Sequence, residues 1–211
     1  MLSGSKTVLQ TWFRIAFALA LLCAWALQAG AGSPVDFGLD LHGNPVRQLA
    51  GPGTRVVVLI FAASDCPISN RYVPEVARLN REFSGKGVRF WWVFPNPDDT
   101  AKVVAQHNRD FSIPSTLSTT DVSTVLDRRQ SLVAWAHAGV APEAAVFVVE
   151  GAEMREVYHG RIDDRYIDLG QERPQAGHHD LEMAISATLA GKPAPQPGGP
   201  TVGCSIVFLQ K

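Results

Sequence analysis

No stretch of this sequence is crowded with lysine or arginine. Its 211 residues carry 19 basic and 20 acidic side chains, a net charge of −1. Nucleic-acid binding draws on a basic patch or stripe, so that class is set aside. Gly-x-Ser-x-Gly and the phosphate-binding loop Gly-x-x-x-x-Gly-Lys-Ser/Thr are also missing. Hydrolase and nucleotide-binding readings therefore have no support. Cysteine is scarce, with only Cys23, Cys66 and Cys204. The apolar run Ile15–Leu27 has 13 residues, short of the 18 or so expected of a membrane-spanning helix.

That run reads instead as an export signal. Lys6 and Arg14 precede it, and the small residues Ala29, Gly30 and Ala31 follow as an A-x-A-like cleavage site. Cleavage after Ala31 is expected, and an uncleaved anchor is the alternative. Leu22 before Cys23 argues against a lipidated cysteine. Export would leave Cys66 and Cys204 in a compartment that permits disulfides, the periplasm or cell envelope. The remaining length suits one domain, and 46% hydrophobic with 18% charged residues suits a packed core.

The chain is organised around residues 55–70. Arg55-Val-Val-Val-Leu-Ile-Phe61 reads as a strand buried on both faces. After a short turn, Cys66-Pro67 opens a helix with Ile68, Tyr72, Val76, Leu79 and Phe83 on one face. Proline suits the first helical position, which places Cys66 at the N-cap, where a thiolate is stabilised. A buried, inert cysteine is the plainer alternative. Asp65 next door disfavours a thiolate if it points at the sulfur.

Before this stretch, residues 33–50 suggest a strand and hairpin around His42-Gly-Asn-Pro45. After it, Val88–Phe94 reads as a second strand in a right-handed βαβ unit, with Trp91 and Trp92 on its two faces. A helix is expected over 98–111, capped by Asp98 or Asp99 and turning Val103, Val104 and His107 inward. Thr116–Val122 suggests a short strand and turn. A helix over 128–137 precedes a strand at Ala144–Val149 and its antiparallel partner at Arg155–Gly160. Asp180–Leu189 reads as a closing helix, and 191–203 as a flexible Pro- and Gly-rich tail carrying Cys204. The domain layout is therefore 1–31 signal, 33–190 globular domain and 191–211 tail.

Phe61-Ala-Ala-Ser-Asp-Cys66-Pro-Ile-Ser69, with Pro74 eight residues after the cysteine, resembles the active-site segment of thioredoxin-like redoxins, notably the TlpA-like envelope proteins and the broader AhpC/TSA-related group. Val140-Ala-Pro142 before a strand is a second point of resemblance, and the 98–137 segment resembles the insertion of the TlpA-like group. The resemblance spans about residues 35–190. It implies an α/β thioredoxin-like fold: a central mixed sheet flanked by helices, with Pro142 cis beside Cys66. Two departures stand out: Ser69 replaces the second cysteine of Cys-x-x-Cys, and Asp65 replaces the usual tryptophan.

With Ser69 in that place the local dithiol cycle is lost, and Ser69 can at most donate a hydrogen bond to the sulfur. Cys66 could form mixed disulfides with partner thiols, react with peroxide to a sulfenic acid, or be resolved by Cys204. Leu59 and Ala63 stand where a peroxiredoxin has proline and threonine, which argues against an efficient peroxidase. A Cys66–Cys204 bond could be permanent or reducible, and Cys204 could also pair between chains or stay free. The charged group Arg161, Asp163, Asp164, Arg165 and Asp168 reads as a solvated turn. His178 and His179 read as a helix start, with Asp180 complementing the dipole.

The favoured reading is an exported thiol–disulfide oxidoreductase using Cys66, Cys204, Pro142 and Ser69. Its partners would be protein thiols or disulfides, or peroxide, with no resident cofactor or metal. The rival is a non-catalytic binding module for copper or a partner protein, with Cys66, Cys204 and a histidine as the conceivable copper ligands.

Overall fold

The structure is a computed structural model that describes residues 36–113 and 122–209. The segment read above as an export signal and the ambiguous 116–121 stretch lie outside the described residues. Strand β1 (Val56–Phe61) is buried throughout. Its alternate side chains feed two cores: Val56, Val58 and Ile60 enter one, and Val57, Leu59 and Phe61 the other. A strand that must bury both faces belongs at the sheet centre, and β1 lies there.

Helix α1 (Pro67–Phe83) packs Tyr72, Val76, Leu79 and Phe83 into the first core. Gly87, at φ 84°, then turns the chain into β2 (Val88–Phe94). Trp92 enters the same core as α1, and Trp91 the opposite one. There the Trp91 Nε1–H donates to the Leu49 carbonyl at 2.9 Å. Strand β3 (Ser123–Leu126) pairs parallel with β2, and β2 pairs parallel with β1. Strands β5 (Glu143–Glu150) and β6 (Glu153–Gly160) complete the sheet as an antiparallel pair. Among the described residues its order is β3-β2-β1-β5-β6, and two short pairs stand beside it: β4 (Val140–Ala141) with β9 (Cys204–Ser205), and β7 (Tyr166–Asp168) with β8 (Gln171–Glu172). Helix α4 (Asp180–Leu189) contributes Leu181, Ala184 and Ile185 to the first core.

Several local expectations change. The hairpin expected over 33–50 is present but short: the Phe37 amide donates to Val46, the Val46 amide to Gly38 and the Asp40 amide to Asn44, with Leu39 bridging Pro45 and Leu126. The Asp40 carboxylate holds its turn by accepting from the His42 and Asn44 amides. Helix α2 (Ala101–Asp110) is capped by Thr100, whose hydroxyl accepts from the Val103 amide, and not by Asp98 or Asp99. Val103 is exposed, while Val104 and His107 are buried. Helix α3 is only Ser131–Ala136, because Gln130 and His137 both adopt left-handed backbone. The fully buried Asp127 carboxylate accepts from the Ser131, Leu132 and Val133 amides and so fixes where α3 begins.

In the cluster read as a solvated turn, Asp163 and Asp164 are buried, Arg161 and Arg165 are half-buried, and only Asp168 is exposed. Asp163 accepts a 2.6 Å hydrogen bond from Tyr72 on α1. Asp164 accepts from the Gly177 and His178 amides and pairs with Arg173. Arg161 pairs with Asp180 at the start of α4. These charges stitch α1, the segment after β6 and α4 together. Local composition cannot distinguish that from a solvated turn, because the partners are distant in sequence. No helix among the described residues is long and apolar enough to cross a membrane.

Candidate functional site: a cysteine at a helix start

Cys66 is the N-cap of α1, with extended backbone at φ −83° and ψ 113°, and Pro67 occupies the first turn. Its residue is 1% exposed. The Ala141–Pro142 bond is cis. Cys66 Sγ lies 3.2 Å from the Ala141 carbonyl oxygen. Cys66 is also disulfide-bonded to Cys204, with 6.1 Å between their α-carbons. The sulfur carries no proton in this state, so the approach to Ala141 is a contact. Only the thiol form could donate there.

Cys204 reaches this position because the tail is docked. Short strand β4 (Val140–Ala141) pairs antiparallel with β9 (Cys204–Ser205), placing Ala141 opposite Cys204. Upstream, the Gly198 amide donates to Asp180 Oδ1 at 2.7 Å. Downstream, the Ile206 amide donates to the Gly139 carbonyl at 3.2 Å, and Ile206 is buried in the second core. The expectation of a flexible tail is thus corrected. Proline and glycine offer few side chains to pack, but backbone pairing and one buried isoleucine hold this segment.

Ser69 is buried, and its hydroxyl accepts from the Ala63 amide at 3.5 Å. Its role in the structure is to close the turn before Cys66. Asp65 is exposed and lines a surface cleft with Lys102, Val103, His107 and Phe111. Ser64 is held differently: its amide and hydroxyl both donate to Asp99 Oδ1. Burial pushes the Asp99 carboxyl up despite those bonds. Sequence reading cast Asp99 as a helix cap and missed this anchor of the cysteine turn. His107 adds a second tie, with Nε2 2.7 Å from Asn70 Oδ1 on α1.

Glu143, directly after Pro142, is a further residue the sequence did not single out. Its buried carboxylate accepts from the Gly139 amide at 2.8 Å and lies 3.2 Å from His159 Nε2. The His159 contact is an ion pair by distance without an aligned hydrogen bond. Burial raises the Glu143 pKa, but His159 and the two loop amides outweigh it and hold it low. Glu143 in turn raises the pKa of His159. Among the described residues, the potential metal-ligating group is Glu75, His179 and Glu182, which includes neither cysteine. Both glutamates already pair with Arg78.

The parallel β1–β2 core, the N-cap cysteine and the cis-proline beside it define a thioredoxin-like fold. Residues 28–157 match the Redoxin family, so the chain belongs to that family. Cys204 lies outside the matched span. No curated protein matches the sequence. Among solved structures, an uncharacterized conserved protein from Geobacillus kaustophilus aligns at TM-score 0.63 and 22% identity, covering 85% of this chain and 92% of that one. A hypothetical protein from Sinorhizobium meliloti 1021 aligns at TM-score 0.66 and 22% identity, covering 82% and 91%. A secreted Mycobacterium tuberculosis disulfide oxidoreductase aligns at TM-score 0.45 and 15% identity, covering 73% and 93%.

Proposed function

We propose that the chain is an exported thiol–disulfide oxidoreductase in which Cys66 is the attacking thiol and Cys204 its resolving partner. The observation that carries this reading is the Cys66–Cys204 bond, joining a helix N-cap to a docked tail beside Pro142. The layout that goes with it is a signal over 1–31, a redoxin domain over 33–190 and a tail over 191–211 that supplies the second cysteine.

In the reduced chain, the start of α1 favours the Cys66 thiolate. That thiolate attacks a partner disulfide and forms a mixed disulfide, expelling one partner thiolate. The Cys204 thiolate then attacks the Cys66 sulfur. The 66–204 bond forms, the mixed disulfide breaks, and the partner leaves with both its sulfurs reduced. Pro142 and Ala141 would wall the sulfur, and Ser69 would hold the turn that presents it.

The test is iodoacetamide alkylation as a function of pH for the mature chain, from residue 32 on, carrying Cys204→Ser. A midpoint below the free-cysteine value of about 8.5 is expected, and one at or above it would sink the activated-thiol reading. Insulin reduction with no more than slow peroxide consumption is the expected pattern, given Leu59 and Ala63. Activity in neither assay, with stoichiometric copper retention, would favour the binding module.

A further inference from the structure

The tail does more than bring a sulfur to Cys66. It lies in a groove built to hold an extended chain by its backbone. Ala141 and Val140 pair with Cys204 and Ser205, and Gly139 accepts from the Ile206 amide. Two side-chain amides continue the ladder where the strand ends. Asn96 Oδ1 accepts from the Val207 amide at 2.9 Å. Gln130 Nε2 donates to the Val207 carbonyl at 2.7 Å, and Gln130 Oε1 accepts from the Leu209 amide at 2.9 Å. A carboxamide that donates and accepts in this way copies the edge of a neighbouring strand.

Gln130 is itself a built element. It is buried, it sits in left-handed backbone, and its amide donates to the Asp127 carbonyl. Its Nε2 also donates to the Pro95 carbonyl at 3.3 Å. Side chains in the tail are treated unequally. Cys204 bonds to Cys66, and Ile206 is 2% exposed, packed in the core that includes Val133, Ala136 and Ala138. Val207, Phe208 and Leu209 are all exposed. The groove therefore reads a cysteine and an aliphatic residue two positions later, and reads the rest as main chain.

We propose that this groove is the docking site for partner proteins, and that it selects extended segments of the form cysteine, any residue, aliphatic residue. The chain's own 204–206 segment is the resident copy of that pattern, and a partner enters as the tail leaves. Specificity comes from the pocket that holds Ile206. Affinity for any such strand comes from Val140–Ala141, Asn96 and Gln130. This recognition is strand addition with alternate side chains in pockets. The inference rests on the thiol–disulfide reading above.

The test uses the full chain carrying Cys23→Ser and Cys204→Ser, so that Cys66 is its one thiol. Two nine-residue peptides are compared, one with the sequence of residues 201–209 and one with serine in place of the isoleucine. Each has its cysteine activated as a thionitrobenzoate mixed disulfide. The Cys66 thiolate attacks the peptide sulfur, a Cys66–peptide disulfide forms, and coloured thionitrobenzoate leaves with the electron pair. The resident tail competes equally with both peptides, so the ratio of rates reports on the pocket.

Withdrawing an isoleucine side chain from water should make the native peptide react about tenfold faster or more. Gln130→Ala should slow the native peptide relative to free dithionitrobenzoate. Equal rates for the two peptides, with normal reaction of the small reagent, would overturn the inference and leave the oxidoreductase reading standing. No reaction with the small reagent would overturn both. If that variant does not fold, the reduced natural chain is used and the ratio is taken from the peptide adduct on Cys66, quantified by peptide mapping after a brief reaction.

Discussion

Gly203 stands against Ala141 at backbone distance. A β-carbon on Gly203 would lie 2.5 Å from the Ala141 carbonyl oxygen and 2.7 Å from its carbonyl carbon. Neither atom can swing aside as a side chain does. Gly203→Ala should therefore lift β9 from β4 and carry Cys204 away from Cys66. Overpacking of this kind costs about 1–3 kcal/mol, so the thiol–disulfide equilibrium constant should fall about tenfold. Redox titration against glutathione, followed by alkylation and mass measurement, reads this directly. An unchanged constant would mean that the close approach does not hold the bond.

The two sulfurs are unequally reachable. Cys66 is buried, whereas Cys204 is half-buried on a strand two residues long. Cys66 is also the better leaving group, because its thiolate would sit at a helix start. An incoming monothiol should thus attack Cys204. Brief treatment of the oxidised chain with glutathione, acid quenching and peptide mapping should find the adduct on Cys204. An adduct on Cys66 would contradict this order of events.

Asp127 determines where α3 starts and hence where Gln130 stands. Three backbone amides and the Ser131 hydroxyl depend on its buried carboxylate. Asp127→Ala leaves those donors unsatisfied and should cost about 2–3 kcal/mol. Urea denaturation should show a lower midpoint with an unchanged slope.

The Glu143–His159 pair makes stability depend on pH. Folding raises the His159 pKa above its ordinary 6.5, so its stabilisation is full below 6.5 and is lost as pH rises through the folded value. Folding lowers the Glu143 pKa below its ordinary 4.5, so its stabilisation is present above 4.5 and is lost as pH falls through the folded value. Both contributions are present together between about 4.5 and 6.5. Glu143→Gln should be most destabilised relative to the natural chain in that window, with the gap narrowing on either side. Thermal unfolding from pH 4 to 9 tests this, and a gap independent of pH would refute it.

Much of the centre of this protein was legible locally. The six-residue apolar run Val56–Phe61 has one low-energy place, buried on both faces, and β1 occupies it. Cys66-Pro67 is a helix start in any context that permits a helix, and the bounds of β2 and α4 follow from their own side-chain periods. Other features were not legible, for a common reason. Asp99 serves Ser64, 35 positions away, and not the helix beside it. Gln130 serves the tail, 77 and 79 positions away. Asp163 is buried because Tyr72 comes to meet it.

By itself, the sequence determined the strand–turn–cysteine–helix unit, the fold class and the scarcity of thiols. These depend on the period of apolar residues and on proline geometry, which act over a few residues. Only the tertiary structure decided that Cys204 pairs with Cys66. That pairing needs β4 to offer a free edge, Gly203 to pass close over Ala141, and Ile206 to find a pocket in the core. A tail rich in proline and glycine carries no periodic signal of its own, and its conformation is imposed by the surface it meets.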